Sequence, residues 1–260
     1  MTSFEGASIL VTGGSRGIGK AIALRFATLG AKRVAIGYFR GDRAAEETAE
    51  ELRALGAEPT LIRANIASER MAEEVAALGP LNAIVHCAAT GVIRPAIETT
   101  DKHWDWTFGA NARAFLAVVR AAVHEMPPGS SVVALSSLGS MRVLENYAIV
   151  GASKAALEAL VRYLAVELAP RGIRVNAISA GVVETGALEF FPNREDMLAM
   201  GRMAPAGRLV TTEDVATCTT FLCSPDAEMI LGQTIVIDGG AGLILVAPPD
   251  VASAAPGDDA

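Results

Sequence analysis

Tyr147 and Lys154 lie seven residues apart and are the side chains of this sequence best suited to acid chemistry. A tyrosine hydroxyl donates a proton or a hydrogen bond to an oxygen that becomes negative, and a nearby ammonium group favours that donation. On a helix, seven residues make about two turns, so both side chains share one face about 10 Å apart along the axis. The spacing predicts a paired site, with approximate geometry because Tyr147 stands where the helix begins.

A glycine-rich segment near the beginning of the chain is suited to holding phosphate groups. Its glycines follow an apolar run and precede a helical pattern. Glycines there let the backbone turn tightly and approach a pyrophosphate, which then lies at the positive end of the helix dipole. The segment predicts a dinucleotide site, although similar spacing also occurs in ordinary glycine-rich turns. The predicted cofactor-binding residues of this segment are Gly13, Ser15, Arg16, Gly17, Ile18 and Gly19.

The charges beyond the second predicted strand indicate which dinucleotide is bound. Proteins that prefer NAD usually place a carboxylate at this strand end to hold the ribose 2′-hydroxyl, but this strand runs into Phe39 and Arg40. The guanidinium groups of Arg16 and Arg40 suit a 2′-phosphate instead. We therefore expect NADP(H). Asp42 weakens the argument because it is close to the same strand end, and arginines at such positions are also ordinary surface residues.

Composition and charge narrow the class of protein. The chain has 260 residues, 51% of them hydrophobic, which suffices for one large core, and its net charge of −7 argues against nucleic acid or an anionic membrane as partner. No apolar run reaches the ~18 residues of a membrane span. Three cysteines without a CxxC motif and no recognisable signal peptide predict reduced thiols and a cytoplasmic location. The three scattered histidines predict no metal site.

Strand-like and helical runs alternate along the chain, which predicts an α/β protein with a doubly wound, seven-stranded parallel sheet flanked by helices. We expect a single-domain Rossmann fold over residues 1–246. The expected strands are Ala7–Thr12, Lys32–Tyr38, Pro59–Arg63, Leu81–His86, Ser131–Ser136, Ile173–Ile178 and Thr234–Asp238. The expected helices are Gly17–Gly30, Arg43–Leu55, Ser68–Leu78, Thr107–Met126, Tyr147–Ala169 and Thr212–Leu222.

Two segments fall outside this alternation. Residues 187–208 are rich in Phe, Met and Pro, and we expect an irregular substrate lid there. Its large apolar side chains suit an acyl pocket or simple packing. They are Phe190, Phe191, Met197, Met200 and Met203. The tail at 247–260 is expected to be disordered because of its Pro, Ala, Ser, Gly and Asp content.

Several motifs together make the chain resemble the short-chain dehydrogenases/reductases over roughly residues 5–246. They are the loop at Thr12–Gly19, Asn65-Ile66, Asn111, Ser136-Ser137, Ser153-Lys154, Asn176, Ala180-Gly181 and Asp238-Gly239-Gly240. Within that superfamily the chain is most similar to the NADPH-dependent enoyl-acyl carrier protein reductases called type III. This closer likeness rests on the runs His103–Thr107, Ser136–Ser140, Leu144–Tyr147 and Phe191–Asp196 and on the Tyr-x6-Lys spacing.

The resemblance implies a reaction and a set of site residues. Ordinary superfamily members carry Tyr-x3-Lys, but here that tyrosine position is Val150. The likeness therefore implies NADPH-dependent reduction of the 2,3 double bond of an enoyl thioester, with hydride going to Cβ and Tyr147 stabilising the enolate. Lys154 would hold the nicotinamide ribose. The other implied residues are Ser137 and Asn111 for catalysis, and Arg40, Asn65, Ile66, Ala88 and Thr185 for the cofactor.

The chain departs from the superfamily pattern at two places. The usual Asn-Asn-Ala-Gly after the fourth strand appears as His86-Cys87-Ala88-Ala89, and the usual Pro-Gly appears as Ala180-Gly181. We interpret His86 as a packing substitute for asparagine rather than as a catalytic base. Trp104 and Trp106 are expected in the core or at a subunit interface.

Two alternative functions remain open at this point. One is NADPH-dependent reduction of a 3-oxoacyl thioester or another ketone, against which Val150 argues. The other is a nucleotide-binding protein without turnover, against which the intact Tyr147 and Lys154 pair argues. The carrier of an enoyl substrate is either acyl carrier protein or coenzyme A, in general fatty acid synthesis or in a specialised pathway.

Expected partners follow from surface charge and from the resemblance. An acidic carrier protein would need a basic patch on this acidic chain, and five arginines are candidates for it. They are Arg94, Arg142, Arg194, Arg202 and Arg208. The two longest helices carry apolar residues on more than one face, which favours an oligomer, and the resemblance implies a homotetramer.

Overall fold

The computed structural model describes residues 3–190 and 194–243, which form a seven-stranded, wholly parallel sheet with helices on both faces. The strands are β1 Ser8–Thr12, β2 Arg33–Tyr38, β3 Glu58–Arg63, β4 Ala83–His86, β5 Ser131–Leu135, β6 Arg174–Ala180 and β7 Thr234–Ile237. The helices are α1 Gly17–Thr28, α2 Asp42–Ala54, α3 Glu69–Ala76, α4 Asp101–Phe108, α5 Ala114–Ala122, α6 Ala148–Leu168, α7 Arg194–Arg202 and α8 Thr212–Cys223. The predicted Rossmann-type fold is confirmed.

The order of the strands places a crevice at one edge of the sheet. It reads β3-β2-β1-β4-β5-β6-β7, so the chain winds outward in one direction from β1 and in the other from β4. Ligands of such sheets bind where the direction reverses, outside the carboxyl ends of the strands. Here that crevice lies beyond Thr12 of β1 and His86 of β4, which are paired in register.

The core has two layers, one on each face of the sheet. Ile9 and Val11 of β1 point into the layer that includes Phe26 of α1, whereas Leu10 points into the opposite layer with Phe115 of α5. Successive strand residues alternate between faces, and both faces are covered by helices, so a continuous apolar run is the expected pattern for such a strand. This packing holds the loops of the crevice on rigid strand ends.

The predicted helix Thr107–Met126 is wrong in its limits and its regularity. Helix α4 begins earlier, at Asp101, because Thr100 and His103 form a reciprocal capping box. A π-helical turn at Gly109–Arg113 then separates α4 from α5. A pattern of apolar residues shows neither feature, since one depends on side-chain caps and the other on an inserted residue in the helix.

The segment 187–208 is not wholly irregular, because it contains α7. Acidic residues in the first turn of this helix and Arg202 in its last turn match the helix dipole. Phe191 and the tail after 243 lie outside the described residues, as do the side chains of Phe190 and Met200. Met197 is half-buried and Met203 is exposed, so an acyl pocket in this segment stays a prediction.

The two tryptophans are not core residues. Trp104 and Trp106 of α4 keep 49% and 52% of their surface exposed. Trp104 stacks on Phe108 with 4.1 Å between ring centroids. The prediction that these tryptophans lie in the core is wrong, and the alternative that they lie at a subunit interface stays a prediction. Among the described residues, no helix combines the length and the apolar character that crossing a membrane requires.

Candidate active site

Tyr147 is the residue that precedes the first turn of α6. Its backbone angles (φ −105°, ψ 9°) are not helical, so the two-turn geometry expected from the spacing to Lys154 applies only approximately. The ring lies against Gly139, where an added Cβ atom would come within 2.5 Å of the ring carbon Cδ1. Asn146, the preceding residue, has a φ of +58°, a left-handed conformation that asparagine tolerates better than most residues. This turn aims the tyrosine at the loop after β5.

Ser137, in the loop after β5, is the hydrogen-bond partner of Tyr147. A hydrogen bond joins its side chain to Tyr147, and its Oγ also accepts the backbone N–H of Gly139 at 3.2 Å. Burial raises the pKa of Tyr147, and the hydrogen bond with Ser137 acts in the opposite direction. The hydroxyl groups of these two predicted residues are therefore hydrogen-bonded to each other.

Lys154 belongs to α6, and its side chain is buried against the end of β5. Its Nζ donates a hydrogen bond to the carbonyl oxygen of Leu135 at 2.6 Å. Burial lowers the pKa of the amine to about 8, opposed by the neighbouring groups Cys87 and Glu158. At neutral pH the amine is therefore still mostly protonated, and it gives the site a positive charge close to β4 and β5.

Asn111 lies in the π-helical turn and fixes the loop after β4. Its Nδ2 donates to the carbonyl oxygen of Thr90 and its Oδ1 accepts the N–H of Thr90, both at 2.9 Å. Nδ2 also lies 2.8 Å from the hydroxyl of Ser153, the neighbour of Lys154. A π-helical turn often marks a functional position. The contacts give Asn111 a clear structural task, and a proton path through it stays a prediction.

Val150 occupies the position at which the ordinary superfamily pattern carries its tyrosine. Its side chain is buried and packs on the loop after β4, where a Cβ atom on Gly91 would lie 2.2 Å from its Cγ2. Tyr147, the residue before the first turn of α6, is therefore the phenol that meets Ser137.

The glycine-rich loop between β1 and α1 has room for a ligand only because its glycines lack side chains. A Cβ atom on Gly13 would lie 2.9 Å from the backbone nitrogen of Ala88, and one on Gly19 would lie 2.1 Å from the carbonyl oxygen of Gly13. Gly17 has a φ of +54°. No side-chain hydrogen bond caps α1 at Arg16, so the first N–H groups of this helix are not used by a side-chain cap. The loop fits a pyrophosphate.

The remaining predicted residues of this half of the site frame the glycine loop. The methyl carbon of Thr185 lies 3.5 Å from the place of a Cβ atom on Gly17. The N–H of Ala88 donates to Thr12 Oγ1 at 3.2 Å, which joins the ends of β1 and β4. The carbonyl oxygen of Ser15 accepts the hydroxyl of Thr48 at 3.0 Å, and Ile18 packs on the core.

The residues predicted to distinguish the two dinucleotides lie beyond β2 and in the glycine loop. Arg16 and Arg40 are exposed, and the Arg40 guanidinium carbon lies 5.7 Å from the centroid of the Phe39 ring. Asp42, which weakened the sequence argument, forms an ion pair with Arg63 at 3.2 Å. Its carboxylate thus already has a cationic partner at the end of β3.

Asn65 and Ile66 lie in the loop after β3. Asn65 Oδ1 accepts the N–H of Ala67 at 3.0 Å, and its carbonyl oxygen accepts the hydroxyl of Ser68, the N-cap of α3. Ile66 is half-buried and packs against the core. These bonds shape the loop, and contact of either residue with a cofactor stays a prediction.

His86 has the properties of a packing residue. It is fully buried, its Nδ1 lies 3.3 Å from Thr12 Oγ1, and its ring packs on Phe115. Burial, together with the positive charge of Lys154, lowers its pKa to about 3. The ring is therefore neutral at physiological pH and is too weak a base to take a proton there.

Glu158 lies next to the predicted site, although the sequence patterns did not predict a role for it. Its buried side chain accepts hydrogen bonds from Ser136 and Ser140, on either side of Ser137. A carboxylate four residues after Lys154 on one helix was the available signal, since such residues share a face.

Two of the five candidate docking arginines already have anionic partners. Arg194 pairs with Glu184 and Glu195, and Arg208 pairs with Asp214. The carbonyl oxygen of Gly242 lies 3.4 Å from Arg142 Nη2, while Arg94 and Arg202 are exposed. A docking patch for an acidic carrier stays a prediction, with fewer available charges than the sequence suggests.

Comparisons with known proteins place this site in a family. A family model described as Enoyl-(Acyl carrier protein) reductase matches residues 13–242. A 1-cyclohexenylcarbonyl-CoA reductase of Streptomyces collinus is 38% identical over 94% of this chain and 89% of that protein. A hydroxynaphthalene reductase-like protein of Metarhizium brunneum is 33% identical over 92% of this chain and 96% of that one. A short-chain dehydrogenase of Burkholderia cenocepacia, solved in complex with NADP, is 32% identical with a TM-score of 0.83 and covers 92% of this chain and 99% of that one.

The fold and the site define an oxidoreductase built on a dinucleotide-binding sheet. The chain belongs to the short-chain dehydrogenase/reductase family, in the branch that the matching enoyl-(acyl carrier protein) reductase model describes. The resemblance inferred from the motifs is confirmed.

Proposed function

We propose that this protein reduces the 2,3 double bond of an enoyl thioester with NADPH. The observation that carries the proposal is the position of the tyrosine: Tyr147 is bonded to Ser137, while Val150 fills the place four residues before Lys154. The name of the Streptomyces collinus relative, which is 38% identical, supports reduction of a C=C bond conjugated to a thioester.

The glycine loop, Arg16 and Arg40 support NADPH as the cofactor. The loop leaves space for a pyrophosphate, and two exposed guanidinium groups suit the extra phosphate of NADP(H). The NADP complex of the Burkholderia cenocepacia relative supports the same choice. When bound, NADPH supplies the hydride for Cβ of the substrate.

The chain's own residues then manage the charge that develops on the thioester oxygen. In this proposal Tyr147 donates a hydrogen bond to that oxygen and Ser137 in turn donates to the Tyr147 hydroxyl, a preorganised arrangement of the kind that lowers such barriers most. Lys154, buried and mostly protonated, supplies the positive charge that stabilises the negative charge on the substrate. Asn111 holds the loop after β4 in place and contacts Ser153, the neighbour of Lys154 on α6.

The experiment is NADPH oxidation by the wild type and by Tyr147→Phe, with a 2-enoyl thioester and a 3-oxoacyl thioester in parallel. Loss of the hydroxyl should lower kcat for the enoyl substrate by about 100-fold to 1,000-fold. Tyr163→Phe is the matched control, because Tyr163 lies farther along α6 outside the candidate site and phenylalanine keeps the apolar ring at its surface. Enoyl turnover that persists in Tyr147→Phe would contradict the role of Tyr147.

Ketone reduction is the second candidate, because the name of the Metarhizium brunneum relative gives a hydroxynaphthalene rather than an enoyl thioester as substrate. The same assay separates the two functions. Turnover of the 3-oxoacyl substrate alone would replace the enoyl reductase proposal, and no turnover of either substrate would favour a nucleotide-binding protein without catalysis.

The carrier and the assembly are further parts of the proposal. The coenzyme A thioester in the name of the Streptomyces collinus relative favours coenzyme A over acyl carrier protein. Exposed apolar side chains on α6, Tyr163 and Val166, favour a homo-oligomer, with a tetramer as the expected state. Comparing kcat/KM for one acyl group on the two carriers, and measuring the mass in solution by light scattering, tests these points.

A further inference from the structure

Glu158 is a buried acid that the proposed reaction does not use directly. Only 5% of its surface is exposed, although taking a carboxylate out of water costs several kcal/mol unless it is compensated. Its Oε1 accepts a hydrogen bond from Ser140 Oγ at 2.6 Å and another from Ser136 Oγ. The burial of this carboxylate and its two specific serine partners indicate that Glu158 has a structural role at this position.

The partners of Glu158 are the two ends of the loop that carries Ser137. Ser136 continues the strand pairing, since its N–H donates to Ile178. The Ser140 hydroxyl lies near both Glu158 and the carbonyl oxygen of Ser137, at 2.8 Å from the latter. That carbonyl already accepts the Ser140 N–H at 3.0 Å, so the single hydroxyl proton goes to the carboxylate, where the bond is charge-assisted and shorter.

The loop between these two anchors lies directly against the tyrosine. Gly139 lies under the ring of Tyr147, and its carbonyl oxygen would be 2.5 Å from a Cβ atom on Gly151 of α6. The loop therefore fits tightly between α6 and the ring. A shift of Ser136 or Ser140 would move Ser137 and Gly139 with it, and hence the hydrogen bond between Ser137 and Tyr147.

Glu158 also supplies negative charge near Lys154, one helical turn away. Two other titratable groups, Cys87 and His86 from the end of β4, also interact with this amine. Burial raises the pKa of Cys87 to about 11 and lowers that of His86 to about 3, so both are neutral near pH 7. Glu158 is therefore the acidic neighbour that opposes the effect of burial on the pKa of Lys154.

We propose that Glu158 is a positioning residue of the active site: its carboxylate fixes the loop Ser136–Ser140 so that Ser137 meets Tyr147, and it places an acidic group one helical turn from Lys154. The catalytic consequence rests on the proposed function, whereas the effects on the loop and on Lys154 do not. Glu158 touches neither substrate nor cofactor and acts only through its neighbours.

The first experiment follows the amine of Lys154 directly, without any substrate. The sequence has four lysines, Lys20, Lys32, Lys102 and Lys154. Protein labelled with ¹³C at the lysine ε-carbon therefore gives four signals, and Lys154→Met assigns the relevant one. In Glu158→Gln we expect the pKa of Lys154 to fall, because the glutamine is neutral. Glu167→Gln, which removes an exposed carboxylate farther along α6, should leave it unchanged.

The second experiment compares pH profiles of enoyl turnover. The alkaline limb of kcat/KM should move to lower pH in Glu158→Gln by as much as the pKa of Lys154 falls, while KM for NADPH changes little. If that pKa is lower by one, the protonated fraction of the amine decreases about tenfold at a pH above both values. Ser140→Ala keeps the charge but removes one anchor, so kcat should fall with the alkaline limb unchanged.

The outcomes separate the inference from the proposed function. An unchanged pKa of Lys154 and an unchanged kcat in folded Glu158→Gln would overturn the inference. If Glu158→Gln does not fold, Ser140→Ala carries the test, and an unchanged kcat in that variant overturns the loop role. A wild type that turns over no enoyl thioester would refute the proposed function, yet the titration of Lys154 would still test the effect of Glu158.

Discussion

Val150 occupies the space that a side chain on Gly91 would need, because a Cβ atom there would lie 2.2 Å from Val150 Cγ2. The contact joins the first turn of α6 to the loop after β4, the same loop that Asn111 holds through Thr90. Glycine at position 91 and a compact side chain at position 150 therefore belong together. A tyrosine at position 150 would have to displace this loop.

Gly91→Ala should destabilise the protein by about 1–3 kcal/mol, because it adds a methyl group to a filled space. The loss should be smaller when Val150→Ala is present, so the double mutant should be more stable than the two single effects predict. Urea denaturation of the four proteins measures this coupling. Gly186→Ala is the control, since a Cβ atom there meets nothing within 4 Å. Additive effects would show that the contact does not exist in solution.

Arg16 of the glycine loop and Arg40 predict a preference for NADPH over NADH that mutation should remove. Arg16→Ala with Arg40→Ala should raise KM for NADPH by about 10-fold to 100-fold per lost charged hydrogen bond and leave KM for NADH nearly unchanged. Initial rates with both cofactors give the comparison. Arg43→Ala is the matched control, because Arg43 is an exposed arginine that pairs with Glu47. Equal losses for NADPH and NADH would mean that the arginines do not read the 2′-phosphate.

The sequence predicts the sheet and the glycine loop because both follow from local patterns. Apolar runs mark strands that are buried on both faces, and the glycines between β1 and α1 occupy positions where the backbone has no room for a side chain. Tyr147 and Lys154 are predicted in the same way, through their spacing. These features need no knowledge of which segments meet in space.

The features that escape prediction depend on contacts between distant segments. The burial of Glu158 results from Ser136 and Ser140 closing over it, and a helix pattern alone leaves a glutamate on the surface. Similarly, Trp104 is apolar enough to suggest the core, but α4 leaves it half exposed. The left-handed Asn146 is set by the turn that its neighbours close, so its sequence position gives only a weak hint.

His86 makes the stability of the protein depend on pH in a defined direction. Its pKa in the folded protein is about 3, mainly because of burial and then because of the charge on Lys154. In the unfolded chain the ring titrates near ~6.5. Between these values the unfolded state binds a proton that the folded state does not. The stability that depends on the neutral ring is complete above about pH 6.5 and is lost as the pH falls toward about 3.

Replacing His86 with Asn should therefore flatten the acid side of the stability curve. Between about pH 6.5 and pH 4 the wild type should lose about 1.4 kcal/mol per pH unit more than His86→Asn, the slope of one proton. Urea denaturation at a series of pH values, compared between the two proteins, isolates this contribution because all other titrating groups are shared. His124→Asn, which removes an exposed histidine, should keep the pH dependence of the wild type. Parallel curves for wild type and His86→Asn would show that the ring has the same pKa in the folded and the unfolded protein, and His86 would then again be a candidate for acid–base chemistry.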